Sequence, residues 1–253
     1  MLSFSEQGHG PALVLIHAYP LDHSMWQTQV EAFSPRYRVV TPDVFGFGGS
    51  QPPRPWTMTE MGEALLALLD RLKIEKCTLA GLSMGGYIAL PFTLAHPNRI
   101  ERLVLAHTRA RADVEAETAA RNDMIAALKK DGIAPLPGKM IPRLLAANAS
   151  EEVRKIVRDS IDRASPEACI HAVTAMRDRV DQTANLTRLA CPTVVITGDA
   201  DAIIRVQDSE RMAAAIPGGK LCVISGTGHL SNLENPSAFN QALDKLLRRS
   251  GSE

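Results

Sequence analysis

The chain has 253 residues, enough for one sizeable α/β domain that buries its own core without a disulfide or metal staple. Its 28 Lys and Arg balance its 28 Asp and Glu, so no overall field draws it to nucleic acid or an anionic membrane, and a small-molecule partner is expected instead. No C-x-x-C pair, signal-peptide pattern or membrane-length apolar run is visible, which points to a cytoplasmic protein and leaves its oligomeric state open.

Short apolar runs recur at 12–17, 38–41, 77–80, 102–106, 193–197 and 220–224. They are continuous rather than alternating, as in strands covered on both faces, and longer helical patterns separate them. The expectation is therefore an α/β fold with a mostly parallel central sheet flanked by helices. Residues 58–72 carry Met61, Leu65, Leu68, Leu69 and Leu72 on one helical stripe. A second helix is expected over 87–95, directly after a glycine-rich turn. The stretch 109–189 differs from its flanks: it has no strand-like run, many alanines and charges, helical patterns at 123–130, 151–164 and 166–180, and breaks at Pro135, Pro137 and Pro142. It is too long for a simple crossover. The division read from this is a core of 1–108 and 190–253 with an inserted helical cap over 109–189. A closing helix is expected over 236–248, capped by Asn235.

The chemistry centres on Gly81-Leu82-Ser83-Met84-Gly85, a G-x-S-x-G turn between an expected strand and an expected helix. Glycines two positions either side of Ser83 remove Cβ atoms that would collide in a sharp turn, and the turn pushes the hydroxyl outward. A serine hydroxyl is a poor nucleophile until a base takes its proton, and the base needs an orienting group. Such partners belong at the carboxyl ends of later strands, where open α/β sheets form their crevice. The run 220–224 leads into Ser225-Gly226-Thr227-Gly228-His229, which offers His229 as the base. The run 193–197 leads into Gly198-Asp199-Ala200-Asp201. Asp199 suits a turn-shaping role, and Asp201, farther out, is preferred as the acid. The chain order Ser83, Asp201, His229 fits this kind of elbow.

With those motifs in order, the chain resembles α/β-hydrolase-fold serine hydrolases along nearly its whole length. His17-Ala18-Tyr19-Pro20 resembles the family's His-Gly-x-Pro oxyanion segment, and the stretch 43–50 (D-V-F-G-F-G-G-S) its Asp-x-x-Gly-x-Gly-x-Ser loop. The family's acid falls three residues past the glycine, which supports Asp201. Residues 228–236 (G-H-L-S-N-L-E-N-P) are similar to enol-lactone hydrolases and neighbouring carboxylesterases. Ala18 departs from the usual glycine and puts the backbone angle of the oxyanion donor in question. The resemblance implies an oxyanion hole of the backbone N–H groups of Tyr19 and Met84. His17 is expected to brace that loop, and His107, at the end of the run 102–106, to supply a pocket or supporting contact.

The implied activity is cleavage of small carboxylic esters through a Ser-His-Asp triad and an acyl-enzyme. Enol-lactone or carbon–carbon bond hydrolysis, cofactor-free perhydrolysis, and a non-catalytic ligand receptor on the same fold are the alternatives. Serine at the elbow argues against the dehalogenase and epoxide-opening relatives, which need aspartate there. With no H-E-x-x-H motif, and a G-F-G-G at 46–49 lacking the third glycine of a dinucleotide fingerprint, neither metal nor cofactor is expected. The alanine-rich cap and an aromatic content of 4% suggest a modest aliphatic pocket.

Overall fold

The computed structural model describes residues 2–248, and seven strands among them form one sheet. The chain begins with β1 (Phe4–Gln7), β2 (Ala12–Ile16), helix α1 (Gln27–Phe33) and β3 (Arg38–Pro42). Next come α2 (Met58–Arg71), β4 (Cys77–Leu82), α3 (Met84–Ala95) and β5 (Ile100–Ala106). Four helices follow with no strand between them: α4 (Glu115–Asp131), α5 (Leu136–Leu144), α6 (Glu151–Arg163) and α7 (Pro166–Arg177). The chain then returns to the sheet with β6 (Thr193–Gly198), α8 (Val206–Ala215) and β7 (Lys220–Ile224), and ends on α9 (Ser231–Glu234) and α10 (Pro236–Leu247).

The strands lie in the order β1-β3-β2-β4-β5-β6-β7. β1 pairs antiparallel with β3, and all other pairings are parallel. Helices cover both faces, so every residue of β4 is buried, and it reads in the sequence as an unbroken apolar run. The two edges behave differently. β1 is half-exposed and carries Ser, Glu and Gln, so it gave no apolar signal. β7 leaves Val223 exposed on the opposite edge.

Local chemistry sets the helix starts. Thr57 caps α2 by accepting the Glu60 backbone N–H (3.2 Å), while Glu60 accepts that of Thr57 (2.8 Å). Such a reciprocal pair satisfies two N–H groups that the first turn leaves without intrahelical acceptors. Ser150, Ser165 and Asn235 cap α6, α7 and α10 through their side chains. The prolines at 135, 137 and 142 do not break the chain as the sequence suggests. Pro137 occupies the first turn of α5, where a missing N–H costs nothing, and α5 buries Leu136, Met140, Ile141 and Leu144. No helix among the described residues is long and apolar enough to cross a membrane.

Because β2, β4, β5, β6 and β7 are parallel and adjacent, their carboxyl ends share one edge. The segments leaving that edge carry His17–Pro20, Ser83, His107, Asp201 and His229.

Candidate active site

Ser83 stands between β4 and α3 with φ 55° and ψ −111°, a left-handed conformation that is costly for a residue with a Cβ. Its surroundings hold it there. The Ser83 N–H donates to the carbonyl of Ala106 at the end of β5 (2.9 Å), and the Ser83 carbonyl accepts from the Thr108 hydroxyl (2.9 Å) and the Gly86 N–H (2.9 Å). The flanking glycines are steric requirements. A Cβ on Gly81 would strike the carbonyl of Gly85, and one on Gly85 would strike that of Ile16. On Gly86 it would lie 2.5 Å from the Thr108 methyl. α3 therefore leaves the turn pressed against the ends of β2 and β5.

The packing of Gly85 on Ile16 brings the segment after β2 beside the elbow. His17 is fully buried there. Its Nε2 accepts the Val44 N–H (2.9 Å), which leaves Nδ1–H to donate to the Ala18 carbonyl (3.0 Å). Burial lowers its pKa, consistent with a neutral ring in that tautomer. His17 thus ties the loop after β2 to the chain after β3. Ala18 lies outside the left-handed region, so a Cβ in place of the usual glycine's hydrogen carries no backbone penalty. The stretch 43–50 also holds structure together. Asp43 accepts from the His23 ring (2.8 Å), the His23 N–H (2.9 Å) and the Gly49 N–H (2.9 Å).

Asp201 and His229 meet as hydrogen-bonded partners: His229 Nδ1–H donates to Asp201 Oδ2 at 2.8 Å, and both side chains are buried. Oδ1 of Asp201 accepts the N–H groups of Ile203 (2.8 Å) and Ile204 (3.0 Å), which fixes the carboxylate. Asp199 points elsewhere, accepting the Ser225 hydroxyl (2.8 Å) and the Gly226 N–H (2.6 Å) at the exposed turn after β7. His229 is anchored to α5, since its N–H donates to the Leu144 carbonyl at the end of that helix (2.9 Å). Glu234 bridges the same two segments by accepting the N–H groups of Gly228 (3.0 Å) and Ala146 (2.8 Å).

His107 also reaches the acid. It sits at φ 48° after β5, fully buried, with Nδ1 at 2.8 Å from the same Asp201 Oδ2 and Nε2 at 2.6 Å from the Ser231 hydroxyl. Burial lowers the His107 pKa, against the opposing pull of Asp201. A neutral ring fits the geometry: Nδ1–H donates to the carboxylate and Nε2 accepts from Ser231. Burial alone would raise the Asp201 pKa, but the adjacent His229 and the hydrogen bonds from both imidazoles hold it well below the usual carboxylate range. The similarity of residues 228–236 to enol-lactone hydrolases covers Ser231 and Glu234 but gives neither a role, because only the topology joins them to His107 and Ala146.

His107, Asp201 and His229 are a group of potential metal-binding side chains, with donor atoms within 4.8 Å of one another. Each imidazole nitrogen, however, stands 2.8 Å from one carboxylate oxygen. Tetrahedral ligands at about 2.0–2.1 Å from a zinc ion would stand about 3.3 Å apart. The separations are those of N–H···O bonds.

Ser83 and His229 line one cavity of about 160 Å3, together with Tyr19. The chain between β5 and β6 lines much of the rest: Met124, Met140 and Met176 supply adaptable apolar wall, and Arg109, Asp113, Glu117, Arg121 and Arg143 supply charge. The aliphatic pocket suggested by composition is therefore not what the chain builds. The signal lay in Arg109, Asp113, Glu117 and Arg121, which recur at steps of four.

A family model described as the α/β hydrolase fold matches residues 11–236. The chain belongs to the α/β-hydrolase-fold family. This α/β hydrolase is 31% identical to 3-oxoadipate enol-lactonase 1 of Acinetobacter baylyi over 95% of its own length and 90% of that protein's. Among solved structures it is similar to a thermophilic esterase from Thermogutta terrifontis with malate bound, at a TM-score of 0.94 and 37% identity over 98% of this chain and 93% of that one. It is also similar to an enol-lactonase from Burkholderia xenovorans, at 0.90 and 28% over 97% and 96%. The chain is a hydrolase of this fold with esterase- and enol-lactonase-type relatives.

Proposed function

We propose that this α/β hydrolase cleaves small carboxylic esters by a serine mechanism with Ser83 as nucleophile, His229 as general base and acid, and Asp201 as the group that orients it. The observation that carries this reading is the 2.8 Å bond from His229 Nδ1 to the buried Asp201 carboxylate, behind a histidine that shares a cavity wall with the strained Ser83. With Nδ1–H committed to Asp201, the neutral ring has its lone pair on Nε2, where the Ser83 proton must go.

In this mechanism Ser83 Oγ attacks the carbonyl carbon as His229 Nε2 takes its proton. The C=O electron pair moves to oxygen, and the backbone N–H groups of Tyr19 and Met84 stabilise the oxyanion. Met84 is the first residue of α3, so its N–H has no intrahelical acceptor and lies at the positive end of the helix dipole. A lost oxyanion donor typically costs about 10²–10³ in rate. The imidazolium then protonates the leaving alcohol. Water, deprotonated by the same ring, attacks the acyl-enzyme and releases the acid. The cap over 109–189 shapes the acyl and alcohol sites, as insertions over a rigid scaffold commonly do.

Enol-lactone hydrolysis is the second reading, favoured by the enol-lactonase relatives that match nearly the whole chain. It uses the same groups, with the leaving enol remaining attached to the acyl chain. The deciding experiment treats the protein with a fluorophosphonate, maps the adduct, and compares short 4-nitrophenyl esters with enol-lactones. An adduct on Ser83 with ester turnover that vanishes in Ser83→Ala is expected. No adduct and no turnover would leave the fold as a ligand receptor.

A further inference from the structure

The chain as a whole is neutral, but the wall of the cavity is not. Arg109, Arg121 and Arg143 line it against Asp113 and Glu117, and Arg111 and Arg179, outside the lining, join the same two carboxylates. Asp113 accepts from Arg121 (3.0 Å) and Arg179 (2.7 Å), and Glu117 from Arg109 (2.5 Å) and Arg111 (2.6 Å). Donors also outnumber acceptors, since the Nε–H groups of Arg109 and Arg179 are buried without a partner. These arginines hold Glu117 well below the usual carboxylate range, the hydrogen bond from Arg111 being the largest cause, so its charge is already committed.

Arg143 adds a further positive charge. It projects from α5, is exposed, lines the cavity, and makes no ion pair or side-chain hydrogen bond among the described residues. It stands where the cavity meets a second, more apolar groove of about 340 Å3 between α4 and α5. The other charges on that groove, Asp123 and Lys139, offset one another. An arginine fork in such a place matches a planar carboxylate, and low-dielectric walls lined by one sign of charge concentrate the opposite sign.

We infer that the substrate of this site carries a carboxylate in addition to its scissile ester or lactone, and that Arg143 recognises that carboxylate at the junction of cavity and groove. The inference rests on the serine-hydrolase reading and goes beyond it by fixing the charge of the substrate. Arg109 and Arg121 are tied to the acids and supply long-range attraction. Arg143 makes the contact.

The test uses two pairs of esters that differ in charge and little else. Mono-4-nitrophenyl adipate against 4-nitrophenyl hexanoate places the carboxylate on the acyl side, and 4-acetoxybenzoate against 4-acetoxytoluene places it on the alcohol side. In at least one pair the anionic ester is expected to have a kcat/KM about tenfold or more above its neutral partner, an advantage that shrinks as salt rises from about 0.02 M to about 0.5 M. Arg143→Gln should lower kcat/KM for the anionic ester at least about fivefold more than for the neutral one, mainly through KM. Protection gives a second readout: adipate should slow fluorophosphonate labelling of Ser83 in the native protein and much less in Arg143→Gln, while hexanamide should not.

Ser83-dependent turnover that favours the neutral esters, or labelling that adipate does not slow, overturns the inference and leaves the hydrolase reading intact. Failure of all four esters together with no labelling of Ser83 overturns the hydrolase reading, and the inference falls with it.

Discussion

Asp201 Oδ2 serves two imidazoles at once, and this sharing sets the chemistry of the site. Two N–H groups reach one oxygen and two backbone N–H groups reach the other. A carboxylate with so many donors is a weak base, so in the proposed mechanism it orients His229 without taking its proton. Asp201→Asn should therefore lower kcat by about 10⁴, the scale seen when a triad acid becomes an amide, while Asp199→Asn stays near the native rate. Kinetics on a short 4-nitrophenyl ester check this, and the opposite pattern would move the acid to position 199. His107 acts one step back, as a positioning residue. His107→Ala removes a donor from Asp201, leaving a more basic carboxylate that stabilises the His229 imidazolium better. The acidic limb of kcat/KM should then move to higher pH, with kcat reduced by about tenfold or less as the carboxylate loses one of its anchors. A limb that does not move would make His107 packing alone. The sequence placed His107 at the right strand end but could not reveal its partner, which is 94 residues away.

At the scale of elements, the turn at Ser83 was legible because its requirements are local. Gly81, Gly85 and Gly86 answer to neighbours within the motif or at the ends of adjoining strands. Gly86→Ala drives a methyl into the Thr108 side chain, which itself bonds to the Ser83 carbonyl. Overpacking of this kind costs about 1–3 kcal/mol, and the urea midpoint should fall accordingly. The helical stretch between β5 and β6 was only partly legible. α6 and α7 showed as helical patterns, whereas α5 was hidden by proline, and the ion-pair lattice at the start of α4 draws in Arg179 from beyond α7. Asp113 is the buried centre of that lattice, held by Arg121 and Arg179. Asp113→Asn leaves two guanidiniums facing each other, and a broken buried pair costs about 3–5 kcal/mol. Unfolding by urea should show the loss. An unchanged midpoint would mean that solvent already compensates these arginines.

For the molecule as a whole, the parallel character of the sheet was readable because strands buried on both faces write continuous apolar runs, whereas the strand order was not. β1 escaped because an antiparallel edge strand of four half-exposed residues writes none. The same architecture distributes its histidines unevenly, and this gives stability a composite pH dependence. His17 and His107 are buried, which lowers their pKa. The unfolded chain therefore binds their protons first, and their contribution, intact above the unfolded imidazole pKa, is lost as the pH falls toward the lowered folded value. His23 behaves oppositely. Its hydrogen bond to Asp43 raises its pKa, so that pair stabilises fully below the unfolded imidazole pKa and loses its effect as the pH rises through the folded value. On acidification from about pH 8 to about pH 6, spanning the usual imidazole range, His23 thus offsets part of what the two buried rings lose. His23→Asn removes the offset and keeps a side chain able to bond Asp43. Its melting temperature should fall more steeply than the native one over this interval, with the two curves closest at the alkaline end. Parallel curves would show that the raised pKa of His23 contributes nothing to folding.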